Sequence, residues 1–113
     1  ININSSSTLV LGITFKENCP DVRNTKVIDV ITSLKSYGTK ISIHDPWADE
    51  NQVKKEYGIS SSKAIPKTKF DAIVLAVAHE KFKELDFSLL LKKKSIIYDV
   101  KNVLPNSIAD KTL

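Results

Sequence analysis

The residues best suited to chemistry cluster in one stretch, Leu9 to Thr25, with the sequence LVLGITFKENCPDVRNT. Lys16 and Arg23 flank its charged part, and a point charge beside a planar guanidinium fork suits phosphate or carboxylate oxygens. The competing arrangement is a solvated Lys16 with Arg23 paired to Asp21 or Glu17, and composition alone favours it. Cys19 is a candidate nucleophile, since a neighbouring cation lowers a thiol pKa. No histidine lies close to it in sequence and Pro20 follows it, so an inert small residue is the simpler expectation. His44 and His79 end apolar runs and invite acid/base or metal chemistry. Without a carboxylate or thiolate cluster at ligand spacing they make a poor metal site, and each is expected to be a polar strand terminus. Asp45-Pro46-Trp47 has the composition of a turn, with the indole packed under the loop or facing a partner, packing being the expectation. A dinucleotide fingerprint is absent: Gly12 stands without the second and third glycines that admit a pyrophosphate. This domain is therefore not expected to hold a dinucleotide in the usual way.

These residues need a platform, and the hydrophobic pattern supplies one. Thr8 to Ile13 is a short branched apolar run, as in strands buried on both faces. Pro20 bars helix or central strand in the loop that follows, from Thr14 to Asn24. Asn24 or Thr25 is placed to cap a helix with Val27, Ile28, Ile31 and Leu34 on one face, and Gly38 ends it. Lys40 to His44 alternates and predicts a second strand, closed by Asp45-Pro46. A short helix is expected over Asp49 to Tyr57, with Val53 and Tyr57 a turn apart and Gly58 as its stop. Ser60 to Ser62 predicts a loop, and Ala64-Ile65 the start of a minor element before Pro66. Phe70 to Ala78 is the strongest central-strand signal. One or two short helical pieces follow over Glu80 to Lys92, broken near Asp86, with Phe82, Leu85, Leu89 and Leu90 inward. Ser95 to Val100 predicts the last clear strand, and Asn102 to Leu113 a loop or an incomplete element. Strands alternating with helices argue for an α/β fold: a Rossmann-like, doubly wound, mainly parallel sheet with helices on both faces. Loops after strands then gather on one rim, which places Lys16, Arg23, His44-Asp45, His79 and Lys101-Asn102 together.

Composition narrows the function. A chain of 113 residues is the size of one domain, and a hydrophobic fraction of 42% with 27% charged residues is ordinary for a globular protein. No apolar run reaches the length of a membrane span, so a membrane partner is not expected. The amino end lacks a signal-peptide pattern and the single cysteine suits a reducing compartment, so the cytoplasm is the expected location. The net charge of +4 rests on dispersed lysines, the densest being Lys92 to Lys94, and Arg23 is the sole arginine. A nucleic-acid partner would want arginines with interleaved aromatics, and is not expected.

With these residues in view, GITFKENCPDVRNT resembles the opening signature of the C-terminal domain of the UDP-glucose/GDP-mannose dehydrogenase family. The segments VIDVITSLKSYG, ISIHDPWAD, EYGI, FDAIVLAVAH and IIYDVKNVL occur in the order that family shows, so the resemblance covers Leu9 to Leu104. It implies that residues 1–113 form one domain of a larger enzyme. In the family an N-terminal Rossmann domain binds NAD, and a central helical region carries a catalytic cysteine and the contacts of a homo-oligomer. Such enzymes oxidise the C6 alcohol of a nucleotide sugar to a carboxylate in two NAD-dependent steps, through a thiohemiacetal and a thioester on that cysteine. The residues of that chemistry are expected to lie outside this chain.

Carried over residue by residue, the resemblance assigns Phe15 and Lys16 to the UDP-sugar substrate and Arg23 to NAD, reached across a cleft. Lys101-Asn102 follows Asp99-Val100 where some UDP-glucose relatives have Arg-Arg after Asp-Gly, and Lys101 is the third substrate candidate. Cys19 lies outside the family's catalytic cysteine motif. The wording ENCPDVRNT and HDPWAD is most similar to members acting on UDP-N-acetylhexosamines in bacterial surface-polysaccharide synthesis. The reading from another class is a free-standing anion- or nucleotide-binding module without catalysis. A GxGxxG domain encoded upstream of Ile1 would discriminate the two.

Overall fold

The computed structural model describes residues 6–14, 21–22, 25–77, 79–99 and 111–112. Phe15, Lys16, Cys19, Arg23 and Lys101 lie outside the described residues, so the roles expected of them rest on sequence. The described elements are β1 (Ser7–Leu11), α1 (Val27–Ser36), β2 (Lys40–His44), α2 (Glu50–Tyr57), β3 (Phe70–Leu75), β4 (Leu91–Asp99) and β5 (Lys111–Thr112). Two 3₁₀ turns, Glu80–Glu84 and Phe87–Leu89, join β3 to β4. The strands form one five-stranded sheet in the order β2-β1-β3-β4-β5, parallel at every pairing.

The alternation of side chains along β1 divides the core in two. Val10, with Ile43 of β2 and Val74 of β3, packs with Val27 and Ile31 of α1 and Val53 of α2. Leu9 and Leu11, with Ile73, Leu75 and Ile97, pack with Phe82, Phe87 and Leu90 from the 3₁₀ segment. A sheet buried on both faces needs the near-continuous apolar strands found here, each large side chain contributing about 1.5–3 kcal/mol on burial. The Rossmann-like parallel sheet expected from the alternation of elements is the architecture observed.

Local chemistry explains the boundaries. Asp49 has extended backbone and its carboxylate accepts the Asn51 and Gln52 N–H groups, capping α2. Gly58 closes that helix at φ +67, a left-handed conformation glycine adopts without steric cost. At α1 the N-cap position falls on Lys26, which makes no side-chain cap; Thr25, one residue earlier, accepts the Val27 N–H instead at 3.3 Å.

Four expectations are corrected. β3 stops at Leu75 rather than Ala78, because the Ala76 and Val77 N–H groups both turn to the Leu11 carbonyl at 2.9 and 3.3 Å. The pieces after it are 3₁₀ turns, and Leu89, expected inward, is 68% exposed, because Phe87 and Leu90, three residues apart and so eclipsed, take the buried face. β4 begins at Leu91, so the lysine run lies within a strand; Lys92 reaches the Asp71 carboxylate at 3.2 Å. The minor element near Ala64 is a bridge at Ser62, whose N–H and carbonyl pair with Ile43 and Asp45 on the free edge of β2.

Candidate functional site

In an open parallel sheet, ligands bind beyond the carboxyl ends of the strands where the strand order reverses. Here the chain leaves β1 toward β2 on one side and later returns to β3 on the other, so the reversal lies between β1 and β3. The two strand ends approach closely at that point. A Cβ on Gly12 would lie 2.5 Å from Cβ of Val77, and the Gly12 φ of +98 also disfavours any side chain. Gly12 is thus required by the close packing of the β1 end against Val77.

Asp45 organises the rim. Its Oδ2 accepts the Ile13 N–H at 2.8 Å and the Thr14 N–H at 3.2 Å, holding the exit of β1. Its Oδ1 accepts the N–H groups of Trp47 at 2.8 Å and Ala48 at 3.2 Å, an Asx turn that closes β2. Nε2 of His79, beyond β3, lies 3.0 Å from Asp45 Oδ2 and 3.0 Å from Thr14 Oγ1. Asp45 and His79 are fully buried. Burial alone would raise the Asp45 carboxyl; the hydrogen bond from His79, those from Ile13 and Trp47, and the His79 charge outweigh it and hold the carboxyl below its ordinary value.

The neighbouring rings fit this arrangement. His79 meets Phe82 edge-on at 5.2 Å, and the Trp47 ring lies 6.3 Å from it. Trp47 remains 39% exposed, so the indole both packs on His79 and presents a face at the rim. His44 lies within β2, where its Nδ1 is 3.0 Å from the Ser62 carbonyl; burial lowers its pKa, against the opposing pull of that carbonyl and of Asp45.

The far end of the β1–α1 loop is held separately. The Tyr57 hydroxyl, from the last turn of α2, donates to the Val22 carbonyl at 2.5 Å and accepts the Thr25 N–H at 3.4 Å. Thr25 Oγ1 in turn donates to the Thr14 carbonyl at 3.3 Å, closing the base of the loop.

The structure therefore brings together His44, Asp45 and His79 on the rim where the sequence placed them. Sequence reasoning missed that Asp45 and His79 are partners and that Tyr57 grips the loop. A carboxylate and a histidine at two strand ends of a parallel sheet are the signal for the first; the second has none in a single sequence. No group of three or more possible metal ligands occurs among the described residues. No described helix is long and apolar enough to cross a membrane.

Comparison with known proteins gives the site its context. The UDP binding domain of the UDP-glucose/GDP-mannose dehydrogenase family matches residues 9–106. A UDP-N-acetyl-D-glucosamine 6-dehydrogenase of Salmonella typhi is 46% identical over 113 residues, covering 97% of this chain and 27% of the relative. The enzyme of that name from Pseudomonas aeruginosa is 37% identical, with 97% and 27% covered. The solved UDP-glucose dehydrogenase of Pyrobaculum islandicum superposes with a TM-score of 0.75 at 21% identity, covering 96% of this chain and 25% of that one. The chain thus spans about a quarter of the length of the curated relatives it matches.

Proposed function

Because the chain belongs to the UDP-glucose/GDP-mannose dehydrogenase family and matches its UDP binding domain, we propose that it is the C-terminal, UDP-sugar-binding part of an NAD-dependent nucleotide-sugar 6-dehydrogenase. The proposed reaction of the whole protein is oxidation of the C6 alcohol of a UDP-hexose or UDP-N-acetylhexosamine to the uronic acid, for surface polysaccharide. The match over residues 9–106 carries this reading, and the names of the Salmonella and Pseudomonas relatives favour an N-acetylhexosamine. Location in the cytoplasm and a homo-oligomer formed through a region outside this chain complete the proposal.

Within the chain the work is binding. Phe15 and Lys16 directly follow Thr14, whose amide and hydroxyl are fixed by Asp45 and His79, and they are the proposed substrate contacts together with Lys101. Lys16 supplies positive charge for the diphosphate. The stretch after β1 lacks the second and third glycines of a dinucleotide fingerprint. The cofactor is accordingly assigned to another domain, with Arg23 as the contact from this side. The chain alone is expected to show no turnover. Titration with UDP and several UDP-sugars, followed by amide shifts, tests the reading: shifts confined to the rim of β1, β2 and β3 support it, and NADH production by the isolated chain would overturn it.

A further inference from the structure

We propose that Tyr57 is a positioning residue for UDP-sugar binding, acting through the backbone of the β1–α1 loop; the proposal rests on the reading that this loop binds the nucleotide sugar. Tyr57 lies at the end of α2, 35 residues from Val22, yet its hydroxyl bridges Val22 and Thr25. It donates to one backbone group and accepts from the other, which uses both capacities of a phenol. The Val22 and Thr25 side chains are buried, so each of the two residues that Tyr57 bonds is anchored by its own packing.

From Thr25 the connection continues inward. Its hydroxyl donates to the Thr14 carbonyl, and Thr14 is the last described residue before Phe15 and Lys16. Tyr57 therefore sits at the outer end of a hydrogen-bonded series, Tyr57 to Thr25 to Thr14, whose inner end is fixed by Asp45 and His79. The helix that carries it is set independently: Asp49 caps its start, Gly58 closes its end, and Val53 packs in the core. A rigid helix presenting one hydroxyl to two backbone groups of a binding loop reduces the ordering cost that ligand binding must meet.

Tyr57→Phe removes the hydroxyl and keeps the packing of the ring. In the whole protein that carries this chain, UDP affinity by equilibrium titration is expected to fall about three- to tenfold, the scale of one or two lost hydrogen bonds. The KM for the UDP-sugar should rise similarly with kcat within about twofold. Asp71→Asn is the control, because it weakens the sheet at the amino ends of β1 and β3, away from Tyr57 and its helix; it should lower the melting temperature and leave UDP affinity unchanged. Lys16→Ala is measured alongside, and the double variant should lose less than the sum of the single losses. If Lys16→Ala weakens UDP binding and Tyr57→Phe does not, or Asp71→Asn weakens it as much as Tyr57→Phe, the positioning role is overturned. If the unsubstituted protein does not bind UDP, or Lys16→Ala leaves binding unchanged, the underlying functional reading fails and takes this inference with it.

Discussion

Asp45 Oδ2 and His79 Nε2 lie 3.0 Å apart with neither side chain exposed, and the contact ties the end of β2 to the segment beyond β3 across the end of β1. One carboxylate thereby serves three strand ends. Asp45→Asn keeps the shape but turns one acceptor oxygen into a donor. Whichever way the amide faces, it meets N–H groups of Ile13 and Thr14 or of Trp47 and Ala48. Loss of about 3 kcal/mol of stability is expected, since hydrogen bonds to a charged group are worth about 1.5–3 kcal/mol each. Urea denaturation of the two chains measures it.

The same carboxylate governs behaviour in acid. Its folded pKa lies below the ordinary 3.8, so its stabilisation is complete above that value and is lost as pH falls through the lowered one. Asp71 behaves likewise at the amino ends of the strands, where the Ser7 N–H and then Lys92 outweigh the effect of burial. His44 acts earlier: its folded pKa lies below 6.5, so the unfolded chain takes up that proton first and stability declines as pH falls from 6.5 to the folded value. Denaturation midpoints across pH should show two descending windows. His44→Gln is expected to flatten the first and leave the second.

Gly12 and Gly58 both have positive φ but should respond differently to alanine. At Gly12 the added Cβ meets Val77 at 2.5 Å and its backbone nitrogen at 3.0 Å, so the chain must shift as well as strain. A loss above about 3 kcal/mol, or failure to fold, is expected. At Gly58 nothing lies within 4 Å, and only the left-handed backbone cost of about 1–2 kcal/mol applies. Melting temperatures of the two variants separate these cases.

Lys16→Ala in the whole protein is expected to cost about 1.5–3 kcal/mol of UDP-sugar binding, one charge-assisted contact. Arg23→Ala should instead raise the apparent KM for NAD. Steady-state kinetics with each ligand varied in turn checks both, and an Arg23 effect confined to the sugar nucleotide would assign that residue to the substrate.

Much of this architecture could be derived from the sequence because local signals agreed with the tertiary result. The alternation of Lys40 to His44, the short helix ending at Tyr57 and its Gly58 stop each rest on signals within a few residues and survived intact. What eluded the sequence was decided by distant partners. Val77 continues an apolar run but leaves the strand, because its N–H and that of Ala76 both turn to the carbonyl of Leu11, 66 residues earlier in the chain. Leu89 turns outward because Phe87 and Leu90, eclipsed in the 3₁₀ turn, share the buried face. His79 looked like a polar terminus; its role appears only when Asp45 and Thr14 arrive from two other strands.

The parallel sheet also has a consequence for how the chain is made. Of the strands described in this sheet, β1 comes first in the sequence and lies inside, with β2 on one side and β3 on the other. The Ser7 N–H waits for an Asp71 carboxylate 64 residues away. Closing so long a connection carries an entropic cost before any pairing repays it, which makes sheets of this kind slow to fold. Until Phe70 to Leu75 has left the ribosome, Leu9 and Leu11 have no β3 to cover them. Nascent chains halted before Phe70 should therefore be protease-sensitive and bound by chaperones, while those extending past Asp99 acquire resistance together.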